Sequence, residues 1–451
     1  MTAIPRLQLL SQEHKQAIHA ATLQVLERTG VRVAHQGARQ LLRNAGAEVR
    51  ADDVVRIPAG LVDKALQTAP SQIVLAGRDG ARDISLEGSN TYFGTGSDCP
   101  YILDWRTGER RPFTRADMVE AMRLCDALPN IDFVMSVGLI SDAPAGESFL
   151  RQFELMLEHS RKPIVFTARD RQDIESIYNL CVGVSGSEAG FRARPHAALY
   201  AEPISPLTHA TDPLDKLLFA AERGMPTVYT PGIMAGATAP VTVAGTLVTG
   251  NAELLSGLVI SQLQAPGAPF IYGGVFTSMD MSSSVFLYAS PEFYLFNIAL
   301  ADLAHHYRLP VFGTCGCSDA KLLDEQAAAE AAASTAVAAL AGANLIHDVG
   351  YVESGLTACY ELIVLVDELA SLMRRLRQGV GLSDEELAVG EIGQVGPGGH
   401  FLDCEHTLRH FRQELWFPRL FDRRRFDTWT QDGAMPLGAR LKARVREILE
   451  G

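Results

Sequence analysis

The sequence has no basic stripe: its formal net charge is −13, and its one dense basic run, Arg423–Arg425, is flanked by Asp422 and Asp427. Nucleic acid is therefore not an expected partner, because phosphate binding needs clustered Lys and Arg. Cysteines are scattered and odd in number, seven in all (Cys99, Cys125, Cys181, Cys315, Cys317, Cys359 and Cys404), which argues against a secreted disulfide framework. Residues Met1–Leu10 have no apolar core behind basic residues, and no apolar run reaches the roughly 18 residues of a membrane span. A cytoplasmic protein with no membrane partner is expected. There is no Walker loop, HExxH helix or serine elbow, and no GxGxxG turn follows the first β-type run. These absences remove the commonest nucleotide, zinc-protease and acyl-enzyme chemistries.

What is present is a long chain with a large core. It has 451 residues, 47% hydrophobic and 21% charged, a composition that suits an α/β barrel with an extension. The first ninety residues read as that extension. Ser11 caps a helix ending at Gly30, a second helix covers Gln36 to Gly46, and a third begins at Ile57-Pro58 and ends before Pro70. Short strands are expected at Gln72–Leu75 and Ile84–Leu86.

From Thr91 a regular alternation sets in. Short apolar runs fall at Tyr92–Gly94, Phe133–Val137, Ile164–Thr167, Ala197–Ala201, Thr227–Thr230, Phe270–Gly273, Val311–Gly313 and Leu345–His347, about 30 to 43 residues apart. That spacing is one strand, one helix and two loops. Helix starts are marked by Thr114 with Asp117, by Asp212-Pro213 and by Ser290-Pro291. The runs are apolar on consecutive positions, as in strands buried on both faces. The pattern predicts a (β/α)8 TIM barrel over 91–380, with an α+β extension at 1–90 and a helical tail at 381–451.

Such a barrel gathers chemistry in the loops after its strands. Those positions hold Asp98, Tyr101 and Trp105 after the first run, Arg169 after the third, Glu202 after the fourth, Tyr229 at the end of the fifth and Phe276 after the sixth. His347, Asp348 and Tyr351 end the eighth. Carboxylates among aromatic rings suit a small cation, since ring faces attract quaternary ammonium groups by roughly 0.5–2 kcal/mol each. Cys315 and Cys317 with His347 form the one candidate metal constellation here, at a spacing tighter than zinc sites use; the other reading is two small apolar residues at a buried strand end. His400, His406 and His410 invite the same question, the last two being one helical turn apart; the other reading is a cap on the barrel or a subunit contact.

Several longer segments carry a resemblance. These are LERTGVRV at Leu26–Val33, VVRIPAGLVDKAL at Val54–Leu66, FGTGSDCPYILDWRTGERRPFT at Phe93–Thr114, CGCSDAKLLDEQAA at Cys315–Ala328, ALAGANLIHDVGYVESGLTACYELIVLVDE at Ala339–Glu368 and GPGGHFLDCEHTLRHFR at Gly396–Arg412. In this order they resemble the trimethylamine methyltransferase superfamily, in the branch without pyrrolysine that includes glycine betaine:corrinoid methyltransferases. The resemblance implies methyl transfer from a methylated amine to the Co(I) cobalamin of a separate corrinoid protein, with no cobalamin held tightly by this chain. The family's pyrrolysine counterpart is expected near Val311–Ser318, where only standard residues stand. A quaternary amine is then the expected substrate, because it releases a neutral tertiary amine without prior activation. On this reading His347, Glu202 and Asp98 are catalytic or charge-balancing, Tyr101, Trp105, Tyr229, Phe276 and Tyr351 box the ammonium, and Asp348 balances charge. Arg169 or His347 would meet a betaine carboxylate. No metal is expected to reside in the chain, and self-association to a homo-oligomer is anticipated. Two alternatives stand beside it: a metal-assisted barrel hydrolase or lyase using Cys315, Cys317 and His347, and a non-catalytic betaine-binding protein.

Overall fold

Strands that are apolar on every residue can exist only where helices cover one face and packed side chains fill the other. Seven of the expected runs become such strands in the computed structural model, which describes residues 2–144 and 146–451. They form one parallel sheet in the order Ile164–Phe166, Ala197–Ala201, Thr227–Tyr229, Phe270–Gly273, Val311–Thr314, Leu345–Val349, Tyr92–Thr95. The first and last of these are brought near each other by the segment between them. Phe133 bridges Gly94 on one edge and Val134 bridges Ile164 on the other, both in parallel.

The segment Phe133–Val137 differs from expectation in forming no continuous strand. Its ladder is broken at both ends. Upstream, the Asp132 carboxylate takes the Phe93 N–H at 2.8 Å. Downstream, Val137 has φ +62°, a left-handed conformation that a β-branched residue adopts only under constraint and that no strand continues through.

The sheet curls enough for its strands to share one enclosed apolar cluster. Phe133, Val165, Ala198, Val228, Ile271, Phe312 and Leu345 meet there, one from each of seven positions around the curl, and half-buried Tyr92 packs against them from the eighth. The hairpin Ile73–Leu75 with Ile84–Leu86 adds Ile73, Leu75, Ile84 and Leu86 to the same cluster. This hairpin lies at the N-terminal ends of the strands: Ala76 N–H bonds Pro195 O at 2.7 Å, and the Asn344 amide reaches Glu87, Gly88 and Asn90 carbonyls. It plugs that end with apolar side chains and leaves the C-terminal ends open.

Helices pack outside. Thr114 and Asp117 form the expected capping box, and Ser290 caps a helix with Pro291 in its first turn. Asp212 does not cap; that helix starts two residues earlier than expected, at Thr211 behind Ala210. The helix Val243–Gln264 satisfies the length and composition of a membrane span, contrary to the reading of the sequence alone. It is mostly buried inside the protein, packed against helices Gln12–Gln24 and Ala59–Thr68. In the extension, Val31–Val33 sits between Val54–Arg56 and Thr208–His209, so a segment from the middle of the chain completes the N-terminal sheet. In the tail, Leu441, Val445 and Leu449 form a stripe at four-residue spacing on helix Leu437–Glu450, against Tyr360–Gln378 and Arg115–Ala127.

Phe133 is fully buried and stands where the two sheet edges meet. Phe133→Ala is expected to lower stability by about 3–5 kcal/mol, read as a shift of the denaturant midpoint at constant m-value.

Candidate active site

In a curled sheet side chains alternate, so a residue two positions beyond an inward one also faces inward. Val165, Ala198 and Leu345 belong to the enclosed cluster. Two residues further along, toward the open end, stand Thr167, Tyr200 and His347, and all three line a cavity of about 540 Å³. Its walls also include Asp98, Glu202, Asp348 and Tyr351, with Phe286 and Tyr288 from a loop and Phe149 and Lys216 from covering helices.

His347 is fixed by chemistry on both ring nitrogens. Nδ1 lies 2.8 Å from Gly313 O; a carbonyl only accepts, so Nδ1 carries the hydrogen. Nε2 then faces Asp348 Oδ1 at 3.2 Å. Two lone pairs would repel at that distance, so the pair holds one proton between them. Burial pushes His347 down and Asp348 up, while each partner's charge opposes the shift in the other. The other Asp348 oxygen accepts the Tyr288 hydroxyl at 2.9 Å. The imidazole packs on Phe312, ring centroids 4.0 Å apart.

Asp98 accepts the Ser136 hydroxyl at 3.3 Å and the Thr167 hydroxyl at 3.4 Å. Desolvation raises its pKa, and these and other side-chain hydrogen bonds offset part of the rise. Glu202 accepts the Tyr200 hydroxyl. It stands inside the curl yet faces the open space of the cavity. Desolvation by the surrounding protein pushes it up, and the Asp98 and Asp348 charges push it further. Lys216 donates to the backbone carbonyls of Ala168 and Arg169, so its ammonium is already partnered.

Two of the carboxylates sit on left-handed backbone, Asp98 at φ +69° and Asp348 at φ +70°. Strain of this kind costs on the order of 1–3 kcal/mol per residue and persists where surrounding contacts enforce it. Gly96 makes the close approach possible: a Cβ there would overlap the Asp348 carboxylate and the Tyr351 hydroxyl.

The cavity thus brings together His347, Asp348, Asp98, Glu202 and Tyr351 of the sequence-derived set. The other five lie elsewhere. Tyr101 is stacked under the Arg110 guanidinium, 3.4 Å from its ring centroid. Trp105 is buried with its Nε1 3.4 Å from Glu120. Arg169 is paired with Asp170 at 2.8 Å and with Asp173 at 3.6 Å. Tyr229 follows inward-facing Val228, so alternation turns it outward, where it stacks on His209 with a 2.8 Å hydrogen bond. Phe276 is buried against Phe296 and Gly250.

Tyr200, Tyr288, Phe149, Phe286, Thr167 and Lys216 were not singled out from the sequence. Alternation within the β-runs identifies Tyr200 and Thr167. Tyr288 depends on a tertiary contact, because Asp319 holds the Tyr288 and Ala289 N–H groups at 2.9 and 3.1 Å. Cys315 and Cys317 are fully buried, do not line the cavity, and burial pushes both thiols up, Cys315 to about 12. Among the described residues no three or more His, Cys, Asp and Glu side chains group as metal ligands do. His406 and His410 both bond Glu385, through its carbonyl and its carboxylate, at 3.0 Å.

An acidic, aromatic cavity of this kind attracts cations, and its carboxylates protonate above the ~4 of a free side chain. Because each must be ionised to attract a cation, affinity for an ammonium ligand should fall as pH drops on the acid side of neutrality, at higher pH than ordinary carboxyls would require. Titration calorimetry with tetramethylammonium across pH 5–8 checks this; a flat profile would contradict it. Gly96→Ala should abolish ligand binding while the far-ultraviolet dichroism is kept.

Comparison with known proteins places this geometry. The chain is 34% identical over 441 residues to a protein named trimethylamine methyltransferase MttB from Desulfitobacterium hafniense, covering 98% of this chain and 89% of that one. It is 34% identical over 462 residues to one of the same name from Methanosarcina thermophila, covering 98% and 93%. It is 29% identical over 450 residues to a glycine betaine methyltransferase from Desulfitobacterium hafniense, covering 99% and 93%. In fold it resembles the crystal structure of the Methanosarcina barkeri monomethylamine methyltransferase MtmB, with a TM-score of 0.57 at 10% identity, covering 99% of this chain and 88% of that one. The family model described as trimethylamine methyltransferase (MTTB) matches residues 1–451, and the chain belongs to that family.

Proposed function

We propose that this chain moves a methyl group from a quaternary N-methyl ammonium of the glycine betaine kind to the Co(I) cobalamin of a separate corrinoid protein. The curled sheet, with Phe133–Val134 bridging its edges, is read as a (β/α)8 barrel over 91–380, flanked by the extension 1–90 and the tail 381–451. One observation carries the proposal: Asp98, Glu202 and Asp348 converge with Tyr200, Tyr288 and Tyr351 in a single cavity at the open ends of the strands. Carboxylates and ring faces are the two partners a permanently charged ammonium can use, since it has no N–H to donate.

The corrinoid, when docked, supplies the nucleophilic metal. The work of this chain is to hold the reacting methyl in line with it and to exclude water. His347 and Asp348, sharing one proton, set the floor; Glu202 and Asp98 balance the ammonium. A betaine carboxylate would meet the third N–H of Lys216, the other two being held by the Ala168 and Arg169 carbonyls, because Arg169 is not among the cavity residues and both His347 ring nitrogens are occupied. Exposed apolar side chains on the loops at this end, among them Ile204, Val241, Met281, Val285 and Leu356, suit a protein partner seated over the opening. The standard residues throughout the sequence favour a quaternary over a tertiary amine; among the relatives, one at 29% identity is named for glycine betaine and those at 34% for trimethylamine.

The test is a panel of N-methylated compounds incubated with free Co(I) cobalamin, followed by the visible spectrum of methylcobalamin. At least one quaternary amine should react and trimethylamine should not; the reverse order would remove the substrate assignment. With the reactive amine, His347→Ala should cost roughly 100-fold or more in kcat/KM, comparable to losing a key positioning group. Unaltered kinetics would take His347 out of the site.

A further inference from the structure

Glu202 stands at the start of a loop that leaves the sheet and does not return to it directly. After Pro203 the chain runs to Thr208–His209, which pairs with Arg32–Val33 of the N-terminal sheet. Between these points the loop is held from one side by a single buried group. Glu253, in the middle of helix Val243–Gln264, is fully buried. One of its oxygens accepts the Leu207 N–H at 2.7 Å and the other accepts the Ser205 hydroxyl at 2.7 Å. One turn along, Ser256 bonds His209 Nε2 at 2.7 Å.

A buried carboxylate is costly unless it is hydrogen-bonded. Packing alone does not ask for one here, since the neighbouring Ala252, Leu254 and Leu255 are apolar and fully buried. Both donors that Glu253 meets lie on this loop and nowhere else. We infer that Glu253 is a positioning residue: its carboxylate pins Ser205 and Leu207 and thereby aims Glu202 into the cavity. The N-terminal extension completes the clamp, because Arg32 N–H bonds Leu207 O at 2.8 Å and Ala34 N–H bonds His209 O at 2.9 Å. The inference rests on the reading of the cavity as the ammonium site.

The test compares Glu253→Leu, Ser205→Ala and Glu253→Gln with the wild-type enzyme and its reactive amine. Glu253→Leu should raise KM roughly tenfold with kcat changed far less, the scale expected for losing a hydrogen bond to a charged group. Ser205→Ala, which removes one of the two bonds and leaves the helix intact, should raise KM by a smaller factor. Glu253→Gln keeps an oxygen for Leu207 and a polar partner for Ser205, and should recover most of the loss. Unchanged KM in Ser205→Ala and Glu253→Leu, or an equal fall in kcat that Gln does not rescue, overturns the inference. Hydrogen exchange over Glu202–His209 reads the clamp without any substrate. Faster exchange in Ser205→Ala supports it, and unchanged protection overturns it, even where the wild-type protein turns over no amine.

Discussion

Alternation of side chains around a curled parallel sheet is the constraint on which the rest depends. Each strand can place only every second residue in the enclosed space. The first inward layer is apolar, from Phe133 round to Leu345, and is sealed below by the hairpin at 73–86. The next layer up carries Thr167, Tyr200 and His347. The same period that packs the core therefore fixes which polar groups meet above it. A register shift of one residue on any strand would exchange them for side chains that now face the helices.

Charge in this space is arranged rather than merely accumulated. Three carboxylates face inward with one lysine, and that lysine is bonded to backbone carbonyls. Repulsion among the carboxylates is relieved locally: Asp348 shares a proton with His347, Asp98 takes hydroxyl donors, and Glu202 takes the Tyr200 hydroxyl. What remains is negative potential in a confined volume, which a fixed cation offsets. Asp98 and Asp348 are both held on left-handed backbone, and Tyr288, itself held by Asp319, ties the Asp348 carboxylate in place.

Much of the architecture was legible because it rests on local signals. Apolar runs, caps such as Ser290-Pro291 and stop signals such as Gly30 mark elements whatever their neighbours do. The interrupted strand at Phe133–Val137 was not, since Asp132 breaks the ladder through a contact with Phe93 far away in the chain. In the cavity, His347, Asp348, Asp98, Glu202 and Tyr351 were found because they end strands or follow them. Tyr229 and Phe276 satisfy the same criterion yet point the other way; only the inward assignment of Val228 separates Tyr229 from Tyr200. Tyr288 comes from a loop and Phe149 and Lys216 from covering helices, where no short-range pattern tells a cavity wall from a surface.

The apolar hairpin at the foot of the curl has a bearing on traffic. A chamber stoppered at its base opens at the opposite rim, and in the proposed reaction that rim is also the seat of the docking protein. Small molecules must then enter before the visitor arrives, and the demethylated product must wait for it to leave. Turnover would follow a compulsory queue, with departure of the larger guest setting the pace whenever its grip is tight.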